Sequence, residues 1–122
     1  MKPRDLINIT LRRLDKSIQS KTPIIVVTKE KPIHELIQTL EEGKIVTLLS
    51  KQNNTCTVKV STTVSEIKTA SIITKAKKLK IWASQLPENN KGKLLLTTSK
   101  GLLLHHTAIK ENIGGEVIGT IY

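Results

Sequence analysis

The run Thr97-Thr98-Ser99-Lys100-Gly101 places three hydroxyls, an ammonium and a glycine in five consecutive residues. Hydroxyls and backbone N–H groups bond phosphate and sugar oxygens, the lysine adds a point charge, and the glycine lets a ligand approach the backbone closely. This is chemistry for holding a polyanion. It is not a nucleoside triphosphate loop, because the G-x-x-x-x-G-K-[ST] spacing is absent. A Thr/Ser-rich stretch of this kind also serves simply as a turn. Further on, Gly114-Gly115 precedes Glu116, so the backbone there needs unusual dihedrals or has a close neighbour.

Catalytic and metal-binding readings find little support. His105 and His106 are adjacent, and in a strand adjacent side chains point to opposite faces; the remaining histidine, His34, is distant in the chain. Zinc is therefore not expected. The single Cys56 lies on the apolar side of a strand in which Cys56, Val58 and Val60 alternate with Thr57 and Lys59, and reads as a buried structural thiol, not a nucleophile. Glu41-Glu42 ends a helix with no second acid placed beside it. An enzyme using His105 or His106 as a base would need a carboxylate or metal partner and a concave pocket. No catalytic constellation, cofactor site or small-molecule substrate is expected.

Charge points the same way as the hydroxyl run. The 122 residues carry 20 Lys+Arg against 10 Asp+Glu, a net charge of +10. Residues 67–110 alone supply +8, residues 1–66 supply +4, and residues 111–122 supply −2. A domain this basic is expected to meet a polyanion, here through its C-terminal half. Trp82 and Tyr122 are the whole aromatic complement, which disfavours a sheet that stacks bases on several rings. Trp82 itself reads equally as a ring stacked on a ribose or base and as core filling. No apolar run reaches the roughly 20 residues of a spanning helix, so no membrane is expected.

The elements that would position these residues follow from periodicity. Ile7, Leu11, Leu14 and Ile18 mark one face of a helix, with Arg12, Arg13 and Lys16 largely off it. Ile24 to Val27 is a β-branched run suited to a strand buried on both faces. Pro32 opens a second helix whose apolar face is Ile33, Leu36, Ile37 and Leu40, and Gly43 supplies its stop. Ile45–Leu49 and Thr55–Val60, joined by the polar residues 50–54, form a hairpin. Ser61 to Thr69 is poor in large apolar residues and marks a boundary. Beyond it, Ser71–Thr74, Leu79–Ala83, Leu94–Leu96 and Leu102–Leu104 read as strands, Ser84–Asn90 as a turn, residues 106–110 as a short helix, and Val117–Tyr122 as a last strand. The expected architecture is α+β, with an N-terminal α/β lobe (1–66; helix-strand-helix-strand-strand) and a C-terminal, mostly antiparallel β lobe with a short helix (67–122). Asp5 and Asp15 sit where a transit peptide is acid-poor, and no secretory apolar core is present. The chain is therefore expected to be mature or made in its own compartment.

The hydroxyl run and Ile113-Gly114-Gly115-Glu116-Val117-Ile118, with Ala108 between them, resemble the C-terminal signature of the small-subunit ribosomal protein eight family. That family carries a Ser-Thr-Ser-x-Gly loop, an Ala-containing helix and a Gly-Gly-Glu entry to the last strand. Weaker similarities run through Asp5, Ile7, Leu11 and Arg13, Glu41-Glu42-Gly43, Leu79-Lys80-Ile81-Trp82 and Leu86-Pro87, so the whole chain is covered in order. The acidic residue after the two glycines resembles the bacterial and organellar branch.

The resemblance implies a two-lobe structural protein that binds the central domain of small-subunit ribosomal RNA early in assembly, beside other small-subunit proteins. It implies RNA contact by Thr97, Thr98, Ser99, Lys100 and Gly101, with Lys80, Trp82, Gly115, Glu116 and Arg13 in support. Thr97 replaces the usual serine, Leu104-His105 replaces a Thr-Asp pair, Asp15 stands where an arginine is usual, and the Pro-Gly of the preceding hairpin is missing. This drift and the Ile/Lys-rich, Phe-free composition suggest an organellar ribosome, mitochondrial in the first instance, with a plastid or bacterial cytoplasm as alternatives. A free-standing RNA chaperone or regulator on the same fold is the other functional reading.

Overall fold

The structure, a computed structural model, describes residues 2–84 and 92–122. The turn expected at Ser84–Asn90 and the Leu86-Pro87 similarity fall on 85–91 and lie outside the described residues, apart from Ser84. The chain divides into two compact units, residues 1–67 and 68–122. The fold class is α+β, with helices and two antiparallel sheets. No described helix is long and apolar enough to cross a membrane.

In the N-terminal unit, α1 (Pro3–Gln19) buries Ile7, Leu11 and Leu14 and exposes Arg12, Arg13 and Lys16. Thr10 and Ser17 share the buried face, and each donates its hydroxyl to a carbonyl one turn back, Leu6 at 2.8 Å and Leu14 at 2.7 Å. Such backbone partners let a polar side chain sit in the core. Strand β1 (Ile24–Thr28), helix α2 (Lys31–Glu42), and the hairpin β2 (Val46–Lys51) and β3 (Thr55–Val60) complete the unit, with sheet order β1-β3-β2. Its core is Leu11, Leu14, Val27, Leu36, Leu40 and Val58 with their neighbours.

One expectation is corrected here. β1 is an edge strand wet on one face, with Ile24 49% and Val26 50% exposed, while Val27 is buried. An antiparallel sheet of three strands needs cover on one face only, and the β-branched run hid that alternation. Helix α2 stops where expected, at Gly43. Gly43 caps the helix at φ −82°, and Lys44 takes the left-handed conformation at φ 61°. Lys44 N–H then donates to Glu41 and Ile45 N–H to Leu40, which closes the end of the helix.

The C-terminal unit contains β4 (Ile67–Thr74), α3 (Ala76–Ser84), β5 (Lys93–Thr98), β6 (Gly101–Leu104), α4 (His105–Lys110) and β7 (Gly115–Ile121), with sheet order β4-β7-β5-β6. Strand β4 begins already at Ile67, inside the expected boundary. Leu79–Ala83, expected as a strand, lies in helix α3. Leu79 is buried and Trp82 and Ala83 are half-buried, at the i+3 and i+4 spacing of a helix. Lysine favours helices, and the run is too short for its period to be read unaided. Leu79, Leu94, Leu96, Ala108 and Val117 form a buried cluster, and Trp82 packs against it.

Candidate nucleic-acid interface

The hydroxyl run is the tip of the β5–β6 hairpin. Thr97 pairs with Leu102 and Thr98 with Gly101, leaving Ser99-Lys100 as the connection, so two of the expected loop residues belong to β5. Gly101 alone in this turn has a positive φ, 98°, the pattern of a turn closed by a glycine that a side chain would strain. The Thr98 hydroxyl donates to the Gly101 carbonyl at 2.9 Å and accepts from Lys100 N–H at 3.1 Å. Thr98 therefore builds the turn. Among the described residues, the hydroxyls of Thr97 and Ser99 have no protein partner. Ser99 and Lys100 are exposed. Lys100 Nζ lies 3.6 Å from Glu111 Oε1 in an exposed pair, which leaves its charge available to a stronger anion.

The two glycines lie against this turn and against a second one. A Cβ on Gly115 would run into the Thr97 carbonyl oxygen and lie 3.0 Å from Thr98 Cγ2. A Cβ on Gly114 would lie 2.5 Å from the Thr74 carbonyl oxygen and 2.8 Å from both Lys75 Cα and Ala76 N, at the junction of β4 and α3. Neither glycine has a positive φ. Close neighbours, not unusual dihedrals, thus require glycine at both positions. The next residue, Glu116, pairs with Thr97 across β7 and β5. Its carboxylate accepts a 2.7 Å bond from the Ser71 hydroxyl on β4, so the acid sits behind the turn as a brace between strands.

The sequence-derived residues therefore fall into three groups. Thr97, Thr98, Ser99, Lys100, Gly101, Gly115 and Glu116 come together at one end of the β5–β7 pairing. Lys80 and Trp82 lie on α3, Lys80 exposed and Trp82 half-buried against the leucine cluster; core packing accounts for much of the Trp82 ring. Arg13 belongs to the N-terminal unit, where its guanidinium donates to the Val26 carbonyl of edge strand β1 at 2.7 Å. That bond occupies part of its donor fork and covers a strand edge.

His105 and His106 lie in α4, not in a strand, with ring centroids 5.7 Å apart in an edge-on arrangement. His105 Nδ1 accepts the Leu94 N–H at 3.0 Å, tying α4 to β5. Burial first, then the neighbouring His106 and Lys93, lowers its pKa from 6.5 to about 4. It is a neutral structural acceptor at neutral pH. Among the described residues, no group of three His, Cys, Asp or Glu side chains could hold a metal ion. Ser71, His105 and the β4–α3 junction were not legible as parts of this site, since each acts through a contact distant in sequence. Apart from this site, within the N-terminal unit, the Asp15 carboxylate accepts the Ile67 N–H at 3.0 Å, giving the acid found in place of an arginine a structural use.

A model of one family, ribosomal protein S8, matches residues 5–122. The chain belongs to the ribosomal protein S8 family. Members of that family are structural ribosomal proteins, not enzymes. Curated relatives include the small ribosomal subunit protein uS8 of Nitrosopumilus maritimus, 45% identical over 42 residues, which is 34% of this chain and 32% of the relative. The protein of the same description from Methanosphaerula palustris is 44% identical over 45 residues, 36% of this chain and 35% of the relative. Each match spans about a third of the relative's length.

Proposed function

We propose that this S8-family chain is a structural component of the small ribosomal subunit that binds small-subunit ribosomal RNA, in its central domain, through the C-terminal unit. The observation that carries this reading is the Thr97–Glu116 register, which brings a hydroxyl turn and a diglycine bend together on the most basic part of the chain. Thr97 and Ser99 offer unpartnered hydroxyls to RNA oxygens, Lys100 supplies charge, and Thr98, Gly101, Gly115 and Glu116 hold the turn in shape. This division of labour suits a backbone-reading contact that is rigid before binding. Contact by Lys80, Trp82 and Arg13, and with neighbouring small-subunit proteins, belongs to the same proposal. A mitochondrial ribosome is its proposed location, supported by the Phe-free, Ile/Lys-rich composition and by Glu116.

Co-sedimentation tests the reading. A resident subunit protein stays with small subunits isolated in high salt, whereas an RNA chaperone on the same fold washes off. Binding to small-subunit RNA should also weaken steeply with salt, by roughly 0.7 to 0.9 in the logarithmic slope for each phosphate contact. Loss from the subunit together with a flat salt response contradicts the proposal.

A further inference from the structure

We infer that the outer edge of β4 docks an extended, acidic segment of a partner protein, which adds a strand to the C-terminal sheet beside Ile72 and Ile73. The inference deepens the contact with neighbouring small-subunit proteins proposed above, and rests on it for the source of the partner. It names the strand, the mode of pairing and the chemistry that is recognised.

Among the described residues the two sheets end in four edge strands, β1, β2, β4 and β6. Natural sheets protect such edges, since an open row of backbone groups pairs with whatever strand arrives. Three of the four carry a protection of this kind. Arg13 covers β1 by its bond to the Val26 carbonyl, a register shift between Leu48 and Ser50 interrupts β2, and β6 is four residues long and runs directly into α4. Strand β4, the longest of the four, has eight residues. Its one charged residue is Lys68, near its start, and Thr69–Thr74 is uncharged and rich in β-branched side chains. Ile72 is 48% and Ile73 85% exposed. Consecutive strand side chains point to opposite faces, so the strand is uncovered on both faces at this point.

The surroundings of this edge choose the partner. No acidic residue occurs from Ile67 to Ser84, and Lys75, Lys77 and Lys78 are exposed where the strand ends. A second copy of this chain, with its net charge of +10, would be repelled. RNA would satisfy the lysines, but phosphates and sugars give no apolar cover to two isoleucines. An extended acidic polypeptide satisfies both. Its backbone pairs with the edge, its side chains, alternating between the two faces, cover Ile72 and Ile73, and its carboxylates meet the lysines. The strand is anchored before such a partner arrives: the Ser71 hydroxyl bonds Glu116 on β7 at 2.7 Å, and Gly114 packs on the Thr74 carbonyl. Anchoring lowers the ordering cost of pairing.

The test follows the backbone amide resonances of the full chain during titration with a synthetic peptide whose central valines are flanked by glutamates. It compares the natural protein, I72T/I73T, and I24T/V26T, whose exposed apolar residues lie on β1. Threonine keeps the β-branch and the strand preference, and unchanged circular dichroism verifies the fold. The expected result is that β4 resonances shift, that the dissociation constant rises by about tenfold in I72T/I73T and not in the β1 variant, and that a peptide flanked by lysines does not bind. No binding to the natural protein, shifts away from β4, equal affinity of I72T/I73T, or equal binding of the lysine-flanked peptide overturns the inference. So does a small-subunit RNA transcript that shifts the β4 resonances in place of the peptide. In those cases, retention of the chain on small subunits in high salt leaves the proposed function standing. A chain that binds the peptide at β4 yet washes off small subunits keeps the docking edge and loses the proposed function.

Discussion

Gly115 lies directly against Thr97: the space for a Cβ on the one is taken by the carbonyl oxygen of the other. Through this contact the bend before β7 and the hydroxyl turn after β5 become one object, and no side chain larger than hydrogen fits without moving a strand.

Gly115→Ala is therefore expected to destabilise the chain by about 1–3 kcal/mol, the usual cost of forcing atoms into a packed site. Urea unfolding measures it. The neighbouring Thr97 backbone cannot yield as a flexible side-chain end would, so an unchanged midpoint contradicts the geometry.

Thr98 and Ser99 are expected to separate turn-building from ligand contact. Thr98→Val removes the bonds to Gly101 and Lys100 and should cost about 1 kcal/mol of stability. Ser99→Ala removes no bond within the described protein and should leave the unfolding midpoint alone while weakening RNA binding by about 1 kcal/mol, the net worth of one hydrogen bond. If Ser99→Ala destabilises the chain as much as Thr98→Val, the assignment of roles is wrong.

The folded-state pKa of His105, lowered to about 4, makes stability depend on pH. The unfolded chain binds the proton first as pH falls, because its histidine titrates near 6.5. The contribution of neutral His105 is thus complete above about pH 6.5, declines as pH falls toward 4, and is gone below. His106, lowered in the same direction by burial and Lys93, adds to the slope. His105→Asn keeps an acceptor for the Leu94 N–H without a titrating ring, and should flatten the unfolding midpoint across this window. Equal pH dependence in the variant rules out His105 as its source.

Lys44 occupies a left-handed conformation at φ 61°, which costs a residue with a Cβ roughly 1–2 kcal/mol. Lys44→Gly relieves that strain at the expense of unfolded-state entropy and should stabilise the chain by about 0.5–1 kcal/mol. A lower melting temperature in Lys44→Gly contradicts the assigned cap.

Much of this was legible in the residues because the signals were local. Ile33, Leu36, Ile37 and Leu40 announce α2 through a full two turns, and Cys56, Val58 and Val60 alternate as β3 does. The hydroxyl turn and the two glycines stand out because their residue types are demanding wherever they occur. What was hidden depends on partners far along the chain. Leu79–Ala83 is a window too short to show its helical period, and only burial of Leu79 against Leu94 and Val117 decides for a helix. The half-wet face of β1 follows from its place in a three-stranded antiparallel sheet that needs cover on one face only, which no feature of Ile24–Val27 reveals. Likewise the Ser71–Glu116 and Leu94–His105 bonds join residues 45 and 11 positions apart, with nothing in either residue to mark the other.

The most direct measurement is the affinity of the full chain for small-subunit ribosomal RNA when both unpartnered hydroxyls are removed, as Thr97→Val with Ser99→Ala. Two lost hydrogen bonds of about 1 kcal/mol each predict a dissociation constant higher by roughly thirtyfold, with the unfolding midpoint unchanged. An unaltered dissociation constant contradicts the claim that this turn meets the RNA.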